Sequence, residues 1–153
     1  VIGVIGRGRR FLITGHMNPD GDVLGSMSAL ALVLQRLGKE VVVYNRDPAP
    51  ARYAFLPLME RLVQEVPKEP FDAVFIVDCC EPQRVGSAFA QAVADAQLGA
   101  IDHHAIPPDD LDFYYHDAGA AATGSPGQRI RKCSGFPGFV LLNQIRLSVT
   151  MSL

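Results

Sequence analysis

What most constrains the fold of this chain is the alternation of short, unbroken apolar runs with segments of helical period. FLITG (residues 11–15), VVVY (41–44), AVFIV (73–77) and LGAI (98–101) are the apolar runs. Strands buried on both faces need no polar alternation, and strands separated by helical segments build βαβ units with a parallel sheet. After the first run, Val23, Leu24, Met27, Leu30, Ala31, Leu34 and Leu37 recur on one helical face, and Gly38 is a natural stop. Further helices are expected over residues 55–66, with a first turn at Pro57, and over residues 88–96. Residues 111–115 supply a candidate fifth strand. The expected fold class is therefore α/β, a doubly wound parallel sheet with helices on both faces. Gly3, Gly6 and Gly8 precede the first strand instead of following it, so they read as a loose helix end or disordered terminus and not as a dinucleotide fingerprint.

In such a sheet, ligands bind beyond the carboxyl ends of the strands. Those ends carry the polar residues here: His16, Asp20 and Asp22 after the first strand, Asp78 after the third, and Asp102, His103 and His104 after the fourth. Carboxylates with imidazoles suit Mn²⁺, Fe²⁺, Zn²⁺ or Co²⁺ better than thiolate-seeking ions. A pair of such cations can clamp the attacking and leaving oxygens of an in-line displacement. Taken alone, NPDGD would be a surface turn with Asp22 capping the helix; the two further clusters at equivalent strand ends outweigh that reading. Cys79 and Cys80 lack the C-x-x-C spacing of zinc sites and read as small buried apolar side chains. Arg84 is either a surface ion-pair partner or a phosphate contact, and His116 reads as structural or exposed.

Composition narrows the function classes. A net charge of −2 gives no global basic footprint for gripping long nucleic acid, which leaves room for a small phosphorylated substrate. No apolar run reaches the length of a membrane span. Three cysteines, two of them adjacent, do not make a disulfide framework, so a reducing cytoplasm is the expected location. All acidic residues lie at or before Asp117, whereas Arg129, Arg131, Lys132 and Arg146 follow it.

With these motifs in place, the sequence resembles the DHH phosphoesterases. HMNPDGD (16–22) is similar to the family's first motif, Asp78 in VDCCEPQRVG to the second, Asp102-His103-His104 to the third, and AGAAATG (118–124) to a segment that follows. The flanking pattern, through RDPAPARYAFLP, looks most like bacterial oligoribonucleases that also act on adenosine 3′,5′-bisphosphate. The resemblance implies two divalent cations, most simply Mn²⁺: one held by His16, Asp20 and Asp78, the other by Asp22, Asp78 and His103. It implies that His104 meets the scissile phosphate or leaving oxygen and that Asp102 orients a histidine. The partner implied is short RNA or a small phosphorylated nucleotide, with no membrane; a homo-oligomer stays open. Alternatives are another hydrolase of the superfamily (manganese pyrophosphatase, single-strand exonuclease or cyclic-dinucleotide phosphodiesterase) or a non-catalytic metal- or nucleotide-binding remnant. The sequence departs from the family where a fourth motif would supply another aspartate, and nothing in it resembles the family's carboxy-terminal substrate domain. Residues 1–124 are expected to form the DHH domain, and residues 125–153 an atypical tail produced by a frameshift or truncation.

Overall fold

In the computed structural model, the described residues are 1–86, 89, 93, 95–104, 111–116 and 123. The expected tail, residues 125–153, lies outside them, as does most of the expected helix over 88–96. Among the described residues, the α-helices and strands follow in the order α1 (Ile2–Arg7), β1 (Arg10–Gly15), α2 (Gly21–Arg36), β2 (Glu40–Val43), β3 (Ala73–Val77), β4 (Gln97–Asp102) and β5 (Phe113–His116). All strand pairs are parallel, and the sheet order is β2-β1-β3-β4-β5. This is the order of doubly wound sheets whose topology reverses between the first and third strands.

The apolar runs form strands because both sheet faces are covered. Alternate residues of β1 and β3 face opposite ways. Phe11, Ile13, Ala73, Phe75 and Val77 pack with Val23, Leu24, Met27, Ala31 and Leu34 of α2, and Val4 and Ile5 of α1 join that side. Leu12, Val74 and Ile76 pack on the other side with Phe71, Val85, Phe89 and Val93. The amino terminus is thus a short helix docked by its apolar residues, more ordered than the glycines suggest.

α2 begins and ends as its sequence directs. Asp20 is its N-cap, with Oδ1 accepting from the backbone N–H of Asp22 at 3.0 Å and of Val23 at 3.1 Å. Asp22, the cap in the surface-turn reading, lies within the first turn instead, so its side chain remains available for other contacts. At the far end Gly38 has φ +73°, and the N–H groups of Gly38 and Lys39 return to the carbonyls of Gln35 and Leu34. Those two bonds close the helix with a left-handed residue, where glycine avoids the Cβ penalty. Gly15 matters for another reason: a Cβ there would sit 2.5 Å from Val23 Cγ1 and 3.1 Å from the Val77 carbonyl, so its absence lets α2 start hard against β1 and β3.

The helix expected over residues 55–66 does not form. The segment has only a 3-10 turn, at Met59–Arg61, preceded by another at Ala51–Tyr53, and Leu58 adopts φ +68°. Pro57 disfavours the helical conformation at Leu56 and removes a donor. Val63, β-branched, pairs instead with Tyr44 as a parallel bridge, and extends the β2 edge through Val63 N–H to Val43 and Asn45 N–H to Val63. Among the described residues, no helix is long and apolar enough to cross a membrane.

Candidate metal centre

β1, β3 and β4 end side by side, so the residues immediately after them converge. Asp78 is central. It is 3% exposed and adopts φ +60°, a left-handed conformation that aspartate tolerates better than most residues, and its N–H bonds the Ile101 carbonyl at 3.0 Å. Around its carboxylate stand His16, whose Nε2 lies 3.9 Å from Oδ2, and His103, whose Nε2 lies 3.3 Å from Oδ1. His103 Nε2 also lies 3.5 Å from Asp22 Oδ2. Ligand atoms of His16, Asp20 and Asp78 fall within 4.8 Å of one another, as do those of Asp78, Asp102, His103 and His104.

The donor set fits divalent cations in both spacing and ligand type. Metal bonds of about 2.0–2.2 Å place neighbouring ligand atoms roughly 3.0–3.5 Å apart in tetrahedral or octahedral shells, close to the His103 distances here. His16 Nδ1 lies 2.7 Å from the Met17 carbonyl. A carbonyl can only accept, so Nδ1 donates to it, and Nε2, on the side of Asp78, is the ring nitrogen placed to bind a cation. Asp20 spends Oδ1 on its two cap bonds, and Oδ2 carries neither of them. Burial pushes the Asp78 carboxyl up from its usual range, and the nearby Asp22 charge adds to this, against the opposing Thr123 hydrogen bond and the two histidines. Crowded carboxylates of this kind are what a cation would relieve.

Asp102 and His104 form a separate pair. His104 Nδ1 donates to Asp102 Oδ1 at 2.7 Å, and the backbone N–H groups of His103 and His104 reach the same oxygen at 2.7 and 3.1 Å. Burial raises the Asp102 pKa, but bonds from Cys80, His104 and the backbone outweigh it and hold the carboxyl below its usual range. That carboxylate in turn raises His104, against the opposing effect of burial. Arg84 is exposed on its 3-10 turn; its carbonyl accepts from Met17 N–H at 2.8 Å, and its charge is felt at His104 and Cys79. His116 ends β5, in register with Asp102.

Three contributors escaped the sequence reading. Cys80 is buried, but it is more than apolar filler: its Sγ donates to Asp102 Oδ2 at 3.1 Å, and burial pushes both the Cys79 and Cys80 thiols up to about 12. Asn45, fully buried at the end of β2, donates to the His16 carbonyl at 3.0 Å and accepts Asp47 N–H, while Asp47 holds Asn18 N–H at 2.8 Å. The strand-end rule that marked His16 and Asp78 applies equally to Asn45. Thr123, in the AGAAATG segment, bonds Asp22 and Asp78 together, a contact that the segment's likeness to the family does not specify.

Residues 10–126 match the DHH family, N-terminal domain. The chain belongs to the DHH family. It is 35% identical over 112 residues to the "Bifunctional oligoribonuclease and PAP phosphatase NrnA" of Thermus thermophilus, a match that covers 72% of this chain and 33% of that protein. The chain thus spans about a third of the length of that relative. An exopolyphosphatase-related protein from Bacteroides fragilis shares the fold, with a TM-score of 0.71, 20% identity, and coverage of 81% of this chain and 39% of that one. The five-stranded parallel α/β domain is accordingly a DHH-family N-terminal domain, carrying a cluster of acidic and imidazole side chains that could hold metal.

Proposed function

We propose that this DHH domain works in hydrolysis of short oligoribonucleotides or adenosine 3′,5′-bisphosphate through two Mn²⁺ ions that share Asp78. The observation that carries the reading is the position of the Asp78 carboxylate between two ligand sets, Oδ2 towards His16 and Oδ1 towards His103. One set is His16, Asp20 and Asp78; the other is Asp22, Asp78 and His103. Bound cations would supply charge neutralisation for the phosphoryl oxygens and activation of the attacking water.

The protein's own groups do the rest. His16 and His103 direct their Nε2 atoms towards the Asp78 carboxylate. Asp102 anchors His104 through Nδ1, so the other face of a ring whose side chain is 54% exposed can meet a phosphate oxygen or pass a proton to the leaving oxygen. The raised His104 pKa favours the protonated ring that this role needs. Arg84 adds positive charge on the same side. The substrate assignment leans on the activity named for the Thermus thermophilus relative and on the RDPAPARYAFLP flank.

A turnover panel tests this. With Mn²⁺, the chain is expected to release nucleoside monophosphate from a diribonucleotide, or inorganic phosphate from adenosine 3′,5′-bisphosphate, and to stop when EDTA is added. Cleavage confined to pyrophosphate would overturn the substrate assignment, and turnover unaffected by EDTA would overturn the metal reading.

A further inference from the structure

We propose that Thr123 is the positioning residue for the second cation, aligning the Asp22 and Asp78 carboxylates before metal arrives; this rests on the two-cation reading above. Thr123 is buried, and its two polar groups serve two different aspartates. The hydroxyl donates to Asp78 Oδ1 at 2.7 Å, and the backbone N–H donates to Asp22 Oδ2 at 3.1 Å. Those are the same two oxygens that face His103 Nε2, at 3.3 and 3.5 Å. One residue therefore fixes two of the three ligand atoms around a common point.

The chemistry explains why a threonine serves here. A carboxylate oxygen has two lone pairs, so a hydrogen bond from Thr123 can occupy one and leave the other for a cation. Without a donor between them, Asp22 and Asp78 would repel and turn apart, and each would have to be reordered when metal binds. Asp22 is also steadied on its other oxygen, where Ser26 Oγ donates to Oδ1 at 3.1 Å. Among the described residues no such bridge joins the first ligand set, where Asp20 is fixed by the helix cap and His16 by the Met17 carbonyl. Threonine 123 thus acts on one set selectively. Thr123 itself need not touch a metal to do this.

The test is Mn²⁺ titration calorimetry on the full chain carrying Thr123→Val or Thr123→Ser, with thermal melts of the metal-free proteins alongside. Valine keeps the branched shape and the backbone N–H but removes the hydroxyl donor. Thr123→Val is expected to weaken one class of Mn²⁺ sites about 10-fold or more, the usual scale for losing a group that orients a ligand. The other class should change by less than about two-fold, and Thr123→Ser should restore the weakened class. Equal weakening of both classes with no rescue by serine would show a merely structural role and overturn the proposal. So would Thr123→Val binding indistinguishable from the parent protein. A parent protein that binds no Mn²⁺ would bring down the two-cation reading and this proposal together.

Discussion

Replacing Asp78 by asparagine is expected to abolish both classes of Mn²⁺ binding while leaving the metal-free protein at least as stable at neutral pH. The first half follows from the shared carboxylate: neither ligand set is complete without it. The second half follows from linkage. Burial raises the Asp78 pKa, so folding favours the neutral carboxyl, and the ionised group weighs against the fold once pH rises above the ordinary aspartate value of about 4. An amide removes that charge, keeps an acceptor for Thr123, and tolerates the left-handed backbone at this position. Calorimetric titration and thermal melting read the two halves separately. Retained Mn²⁺ stoichiometry and affinity would contradict the bridging role. A large fall in metal-free stability would contradict the electrostatic account.

Phe75→Ala should have the opposite signature. Phe75 is fully buried in β3, with its ring 5.9 Å from Phe11 and 5.2 Å from Phe113. Truncation leaves a cavity in the layer beneath α2, and losses of about 3–5 kcal/mol are typical of such sites. Since β3 presents Asp78 at its carboxyl end, metal binding should fail only as the fold itself fails. Urea denaturation with an unchanged slope and a sharply lower midpoint is the expected result. A midpoint shift of less than about 1 kcal/mol in stability would mean that this layer repacks and does not govern the fold.

These two residues also show what the sequence makes legible. AVFIV reads as a strand because five consecutive apolar residues need cover on both faces, and the sheet provides it. Asp78, which alone would read as a helix cap or ion-pair partner, reads as a site residue because it follows a buried strand beside the clusters at the other strand ends. Residues 55–66 misled because their apolar content suits a helix, whereas Pro57 interrupts it and Val63 finds a partner in Tyr44, distant in sequence. Asp20 and Asp22 could not be told apart as caps from spacing alone, since the choice depends on which backbone N–H groups each carboxylate can reach. Asn45 follows a strand and Thr123 lies in the AGAAATG segment, but their roles are hydrogen bonds to residues far along the chain, which no window of sequence specifies.

Asp22 explains why the turn after β1 and the cluster after β4 form one centre. Its carboxylate faces His103 Nε2 across 3.5 Å, while the residue two positions earlier is committed to the helix cap. The HMNPDGD segment therefore serves two purposes with two aspartates: one starts α2 and offers its remaining oxygen to the first ligand set, and the other reaches towards β4. This division connects the geometry of the helix start to the spacing of the proposed ions.

Anomalous diffraction from crystals soaked in MnCl₂ tests the central claim most directly. Two peaks about 3.5–4 Å apart are predicted, one between His16, Asp20 and Asp78 and the other between Asp22, Asp78 and His103. A single peak away from Asp78, or none at the ends of β1, β3 and β4, would contradict it.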